Sequence, residues 1–340
     1  QPFFQGLEGR AKGRIDLKSD LDQSPVVDFH VHGEGIRYLG GPPLSASLKG
    51  SWEKQSLHLL DLEIQAKPLP DTAFLRASGS YRLDTQQIHA DYQVSVPAGT
   101  INEFLGADWM KEPIRSRGSV SGDATNPDIR GSIDAADFKH PQSQALQMKA
   151  DFETQGLEAI IIDGILQSPE ASLQYAMKVK RGDQNISAEL DELTWKEGAN
   201  EVLKLQKPME FHYRLKKEPN APHPRISYTP IRLQSKDTSI QSRLSHVEGW
   251  QLQIKNFNLK PFQAWVSAPI PSLEVQSLDI DFNQLEPFLH GDVEIRATGL
   301  DLHETPFKLD ARVHLQSDEI ALEELALLYD EKTIMSGSGK

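Results

Sequence analysis

Cysteine is absent from this chain of 340 residues. Without cysteine, neither a disulfide framework nor a thiolate metal site can form. The absence is compatible with both the cytosol and the bacterial periplasm, so it does not choose between them. Apolar stretches of about 18 residues are missing as well, and the sequence therefore predicts no membrane-spanning helix.

Positive charge is also in short supply. The chain has 36 Lys and Arg against 49 Asp and Glu, which gives a formal net charge of −13. Nucleic-acid binding depends on clustered Lys and Arg that neutralise phosphates. We therefore expect no nucleic-acid partner.

Helical periodicity is confined to two short stretches. Residues 100–110 place Ile101, Phe104, Leu105 and Trp109 near one helical face, and residues 259–268 show a looser version. We predict one or two short amphipathic helices. The many longer helices that surround a (β/α)₈ barrel are missing from the pattern.

The abundant signal is alternation of apolar and polar residues in short runs, which predicts β-strands. Each run is apolar on one face and polar on the other, as in antiparallel sheets with one face in water. The alternation slips at Gln276-Ser277 and between Ile254 and Phe257, which indicates β-bulges or tight turns. Residues 318–332 fit a helix or strands; we assign strands because Thr333, Ile334 and glycines follow closely. The sequence predicts an all-β, mostly antiparallel fold.

Glycines open several of these strands in a recurring way. The stretch "RGSVSGDATNPDIRGSIDAADF", residues 117–138, carries Gly118, Gly122 and Gly131 before alternating Ile133 and Ala135. Residues 118–135 resemble the repeated unit of the TamB-type proteins, within the AsmA-like group of bacterial envelope proteins. Most of the rest of the chain resembles that group in its general pattern of strands and short helices, without a close motif match.

The resemblance implies a fold and a function. Members form a long sheet curled into an open, taco-like half-pipe, whose apolar groove carries phospholipid or another acyl-chain lipid between the inner and outer membranes. By resemblance we expect a periplasmic section of a longer Gram-negative protein. An inner-membrane anchor, and an outer-membrane β-barrel partner used by some members, would lie outside this chain.

The alternation of apolar and polar residues also restricts the architecture, independently of the resemblance. A sheet with one apolar face must close on itself, pack on a second sheet, or curl around something apolar. Roughly 25 to 30 strands, the number we expect, exceed what an ordinary open sheet tolerates. We predict one elongated repetitive structure over residues 1–340, with a loop or sub-domain break near 216–224. The alternation places one set of residues on the inward face, and the resemblance implies that they line the groove: Val27, Phe29, Val31, Leu173, Tyr175, Met177, Val179, Met209, Phe211, Tyr213, Leu215, Phe307, Leu309, Val313 and Leu315.

Two alternatives stay open. The inward residues also fit the core of an ordinary β-sandwich, which would make the chain a non-catalytic scaffold or a module that binds protein or carbohydrate. The stretch "VVDFHVHGEG", residues 26–35, resembles the opening of the metal-dependent amidohydrolases, which makes a metal-dependent hydrolase the less favoured alternative.

Strand geometry argues against the hydrolase. His30 and His32 share one side with Asp28, the side that the sheet turns to water. A metal ion would need further ligands converging there, and the other nine histidines are scattered along the chain. The close acidic pairs alternate with apolar residues as solvated faces do, and neither a nucleophile elbow nor a phosphate-binding loop is present. We expect no enzyme activity, no metal and no cofactor.

Overall fold

The computed structural model of the chain describes most of its residues. The described ranges are 7–18, 24–38, 43–66, 74–106, 108–138, 144–182, 185–214, 226–245, 249–266, 270, 272–284, 290–300, 305–316, 319–330 and 332–339. Leu215 and the predicted break near 216–224 lie outside these ranges.

The described chain is almost entirely β-strand, with one α-helix and one 3₁₀-helix. The first ten strands are β1 Leu7–Lys18, β2 Val26–Tyr38, β3 Leu44–Glu53, β4 Ser56–Ala66, β5 Phe74–Arg82, β6 Gln87–Val96, β7 Ile114–Asp123, β8 Asp128–Phe138, β9 Leu146–Gln155 and β10 Ala159–Gln167. The next twelve are β11 Ala171–Arg181, β12 Asn185–Glu197, β13 Asn200–Leu205, β14 Met209–Arg214, β15 Ile226–Gln234, β16 Ser239–Ser245, β17 Gly249–Asn258, β18 Ser272–Gln284, β19 His290–Leu300, β20 Pro306–Gln316, β21 Glu319–Tyr329 and β22 Lys332–Gly339. The helix α1 is Ala98–Leu105, and the 3₁₀-helix is Lys260–Ala264.

These strands belong to one 22-stranded sheet in which neighbours pair antiparallel. The predicted all-β, antiparallel fold is thus confirmed, as are the two short helices. The described strands are fewer than the 25 to 30 expected, because many run for ten or more residues, as in β2 and β12 with 13 each. Residues 319–329 and 332–339 are strands, as assigned from the sequence.

The chain divides into two compact units. Unit 1 comprises Gln1–His140 and Gln147–Ile162, and unit 2 comprises Pro141–Leu146 and Asp163–Lys340. In unit 1, consecutive strands pair in chain order from β1 to β8. None of the helices in the described ranges is long and apolar enough to cross a membrane.

Unit 2 contains one strand that is broken into two pieces. Both β13 and β14 pair antiparallel with β12 on one side and with β15 on the other, so they follow one another along a single strand position. Pro208 lies in the break between them, and proline has no N–H to donate to a ladder. Elsewhere the order is sequential, from β15 through to β22.

β-bulges keep the apolar residues on one face where the sequence alternation slips. In β12 the apolar positions step from Leu190 to Leu193, and the pairing with β11 skips Asp191 between them. The predicted slip at Gln276 is confirmed as a bulge, since the pairing of β18 with β19 passes over Gln276. The predicted slip between Ile254 and Phe257 is confirmed too, because Asn256 and Gln276 are both left unpaired between β17 and β18, without a change of register. Bulges bend a strand and increase its twist, so these positions also set local curvature.

Candidate functional site

Unit 1 carries a continuous apolar face across its strands. From β1 to β8, the residues on this face are paired across the strands almost entirely with apolar residues or glycine. One row of directly opposed residues runs through Gly13, Val31, Leu48, Leu62, Ala77, Tyr92, Gly118 and Gly131. The apolar surface therefore extends across the strands as well as along each of them.

Unit 2 carries an apolar face of the same kind. One row of opposed residues runs through Val179, Ala188, Phe211, Tyr228, Leu244, Trp250, Phe282, Gly291, Leu315 and Ile320. A parallel row from β17 to β21 runs through Leu252, Ile280, Val293, Val313 and Leu322. Each unit therefore has an apolar surface that spans many strands.

Charged side chains occupy the opposite face and pair across the strands. Arg76 of β5 donates to Glu63 of β4 at 2.8 Å, and Arg130 of β8 donates to Glu153 of β9 at 2.6 Å. Hydrogen bonds from Arg76 and from Gln65 lower the pKa of Glu63 below its ordinary value. The polar face is thus a set of solvated ion pairs, each of modest value to stability.

Fourteen of the fifteen residues predicted to line a groove are described, and all of them lie on these apolar faces. Val27, Phe29 and Val31 oppose Trp52, Gly50 and Leu48 of β3. On unit 2 the predicted residues of β11 and β14 meet across β12, and those of β20 oppose apolar residues of β21. The remaining residue, Leu215, lies outside the described residues.

The apolar faces are only partly covered. The described lining residues are all partly buried rather than fully buried. Among the described residues, none of the large side chains has less than 2% of its surface exposed. A closed β-sandwich of this length would bury many large apolar side chains completely. The apolar surface within each unit is therefore accessible along much of its extent.

One end of the unit 2 face is covered by the segment between β17 and β18. A buried cluster there comprises Ala171, Trp195, Leu203, Phe257, Ala264 and Val275, with Phe262 and Trp265 packed against it. The ring centroids of Trp195 and Phe262 are 4.6 Å apart, and those of Trp195 and Trp265 are 6.4 Å apart. The 3₁₀-helix thus lays its aromatic side chains on the sheet.

Trp195 was missed as a site residue by sequence reasoning. Its neighbours on the apolar face are Leu193 in β12, Leu173 in β11 and Leu203 in β13. The available signal was the polar doublet Asp191-Glu192, which separates two alternating runs and marks a bulge. Carrying the alternation across that doublet would have put Trp195 on the apolar face.

Unit 1 has a short helix between β6 and β7. There Asn102 of α1 fixes the following turn, because its Nδ2 donates to Met110 O at 2.8 Å. Its Oδ1 accepts from the backbone N–H groups of Trp109 at 2.9 Å and Met110 at 2.8 Å. Trp109 packs edge-on against Phe138 of β8, with ring centroids 5.8 Å apart.

The two histidines of the H-x-H pair lie on the polar face of β2. His30 and His32 are exposed, and their cross-strand partners are Arg14 and Lys12 of β1. His32 Nε2 lies 3.3 Å from Glu34 Oε1, and His30 Nε2 lies 3.5 Å from Ser47 Oγ. In the described ranges no group of three or more His, Asp or Glu is arranged to hold a metal ion.

A pocket of about 720 Å³ lies on the polar side of unit 2. Its charged lining is largely committed to contacts within the sheet: Gln253 Nε2 donates to Asp279 at 2.7 Å, and Gln251 Nε2 donates to Asp281 at 3.1 Å. Arg312 lies 3.3 Å from Glu294. The polar pocket is therefore the space between cross-strand pairs, and its chemistry does not suit an acyl chain.

The chain matches no family model and no curated protein. The resemblance to the TamB and AsmA-like group consequently rests on residues 118–135. There Gly118 and Gly131 face each other across β7 and β8. A Cβ on Gly118 would lie 2.8 Å from the hydroxyl oxygen of Tyr92, so the glycines make room for that ring.

Proposed function

We propose that the apolar faces of the two units hold the acyl chains of phospholipid or another acyl-chain lipid, as a section of a periplasmic lipid-transfer path between the inner and outer membranes. The observation that carries the proposal is the long apolar face that remains accessible in each unit. Exposed apolar patches of such extent are rare on monomeric proteins and mark surfaces that bind something.

The energetics favour a hydrocarbon ligand. Relative to water, each buried methylene contributes about 0.8 kcal/mol, so an apolar face that covers about ten methylenes offsets about 8 kcal/mol of the cost of taking that segment out of a bilayer. An acyl chain needs no hydrogen-bond partner, which fits a face built from aliphatic and aromatic side chains. In this proposal the sheet curls into an open half-pipe, with lipid head groups at the open side in water. No bond is made or broken, so the protein acts without catalysis.

The cellular setting is part of the same proposal. The resemblance of residues 118–135 to TamB-type repeats supports a place in the envelope of a Gram-negative bacterium. An inner-membrane anchor and an outer-membrane β-barrel would then be partners beyond this chain. A non-catalytic scaffold or interaction module is the competing proposal, and it requires no bound lipid.

A matched pair of substitutions on β12 tests the proposal. Ala188 lies on the apolar face between Val179 and Phe211, whereas its neighbour Ser187 lies on the polar face between Lys180 and His212. We expect Ala188→Asp to reduce the phospholipid that co-purifies with the protein, because it places a carboxylate among apolar side chains. Native mass spectrometry of gently purified protein measures the bound lipid.

Ser187→Asp is the control, since it adds the same carboxylate opposite Lys180. Circular dichroism checks that both variants keep the β-fold. Wild-type protein free of lipid under these conditions would favour the scaffold proposal, and equal lipid in the two variants would exclude the apolar face as the binding surface.

A further inference from the structure

The segment between β17 and β18 occupies apolar surface that the proposed lipid would otherwise cover. Phe262 packs against both Trp195 and Phe257, with ring centroids 4.6 and 5.7 Å away. Trp265 adds a second ring against Trp195. These aromatic side chains cover the apolar face of the sheet with hydrocarbon, as an acyl chain would.

Backbone hydrogen bonds hold the described part of this segment at Leu259 and at Trp265. At the start, Leu259 N donates to Leu273 O at 2.9 Å, and at the end Gln144 N donates to Trp265 O at 3.0 Å. Between them, the 3₁₀-helix is five residues long, too short to be stable without its side-chain contacts. An amide side chain ties each of the two helices to the residues that follow it: Asn102 makes three hydrogen bonds in α1, and Gln263 makes two after the 3₁₀-helix.

A buried polar atom under the segment provides an independent observation. Trp195 is 7% exposed, and its Nε1 has no hydrogen-bond partner. The indole N–H is a donor only, and buried indoles normally find an acceptor. A buried donor without an acceptor disfavours the arrangement that buries it. When the segment covers the sheet, the N–H of Trp195 therefore lacks a hydrogen-bond acceptor. A ligand that carries an oxygen atom could supply one.

We infer that residues 259–265 are a displaceable cover on the apolar face of unit 2, and that the lipid which displaces them accepts a hydrogen bond from Trp195 Nε1 through an acyl carbonyl oxygen. The inference rests on the proposed function, since it names a site for the same ligand. Hydrocarbon alone would not satisfy Trp195, whereas a fatty-acyl ester brings an acceptor directly attached to its chain.

Weakening the cover tests the inference. The probe is small unilamellar vesicles of phosphatidylethanolamine and phosphatidylglycerol, and bound lipid is counted by native mass spectrometry over a vesicle titration. Phe262→Ala/Trp265→Ala removes the covering rings. If about one molecule in ten is uncovered in the wild type, the apparent affinity rises about tenfold, because the competing closed state is lost.

A milder variant guards against misfolding. Gln263→Ala leaves the aromatic cluster intact but removes the side chain that donates to Val266 O at 3.1 Å and accepts from Ile270 N at 2.8 Å. It should raise the apparent affinity in the same direction by a smaller factor. Leu83→Ala/Leu157→Ala, which truncates two exposed leucines in turns, is the matched control and should leave affinity unchanged.

The indole itself supplies a direct readout. In ¹H–¹⁵N spectra, the Trp195 Nε1–H signal, assigned by its loss in Trp195→Phe, should move downfield when vesicles are added to wild-type protein. Equal lipid affinity in the wild type and both cover variants, with an unmoved Trp195 signal, would overturn this inference and leave the proposed function standing. No lipid on any variant would overturn both.

Discussion

Neighbouring residues in this protein have different surroundings because a strand sends alternate side chains to opposite faces. Phe29 lies on the apolar face opposite Gly50, while His30 beside it lies on the polar face opposite Lys49. A role for either residue therefore follows from its face rather than from its place in a motif. For the H-x-H pair, this means a solvated position flanked by basic residues of β1.

Removing both histidines tests that assignment. We expect His30→Ala/His32→Ala to change the free energy of unfolding by less than about 0.5 kcal/mol, because exposed side chains with long contacts contribute little. Phe29→Ala should cost about 1.5–3 kcal/mol, the value of burying its side chain. Urea denaturation measures both, and plasma mass spectrometry measures bound metal. Stoichiometric zinc that disappears in the double variant would revive the metal-site hypothesis.

The pKa of Glu63 predicts how acid affects stability. The pKa is lowered in the folded protein by hydrogen bonds from Arg76 and Gln65, so the ionised carboxylate favours folding. This contribution is complete above the unfolded pKa of glutamate, about 4.3, and is lost as the pH falls through the lower folded value. Wild-type protein should lose more stability than Glu63→Gln between pH 6 and the acid limit of folding. Denaturation series at several pH values make the comparison, and parallel curves would contradict the prediction.

At the scale of strands, small residues and bulges shape the apolar faces. Gly118 and Gly131 leave space that the ring of Tyr92 fills, and skipped residues such as Asp191 keep apolar side chains on one side. Aromatic rings that lie over strand glycines pin the register of neighbouring strands. The glycines of the repeated motif therefore act in packing as well as in turns.

Adding one methyl group to this pair should be costly. A Cβ on Gly118 would lie 2.7 Å from Gly131 Cα and would also meet Arg130 O, which is backbone and cannot move aside. Gly118→Ala should therefore destabilise the protein by about 1–3 kcal/mol. Gly337→Ala is the control, since a Cβ there meets nothing within 4 Å. Equal midpoints of urea unfolding for the two variants would show that β7 and β8 adjust freely.

At the scale of the whole molecule, the apolar face recurs in each of two compact units. In unit 1, Val120 lies on it between Ala90 and Ile129, as Ala188 does in unit 2 between Val179 and Phe211. Substitutions at sites far apart and without shared partners usually act independently. We therefore expect each unit to bind part of the lipid, independently of the other.

A double variant tests this division. Val120→Asp and Ala188→Asp should each remove part of the bound lipid, and the two together should remove most of it, as counted by native mass spectrometry. Loss of all lipid through one substitution alone would point to a single site. Retention of lipid in the double variant would argue against both apolar faces.

Most of the fold could be predicted from the sequence because its signal is local. Period-two alternation identified the strands, their faces and two of their irregularities, and short apolar helical patterns located α1 and the 3₁₀-helix. The described residues form 22 strands against the 25 to 30 expected, since strand length depends on pairing with neighbours. Trp195 was missed because a bulge at Asp191 changes the parity of the alternation.

The sequence by itself determined which side chains share a face, since a strand's geometry fixes that from each residue to the next but one. The tertiary structure decided what covers that face. Phe262 and Trp265, in the segment between β17 and β18, contact Trp195 of β12, and the lack of an acceptor for Trp195 Nε1 is a property of that packing. Contacts between residues distant in the chain depend on the register of every strand between them. A local sequence pattern therefore cannot predict such contacts.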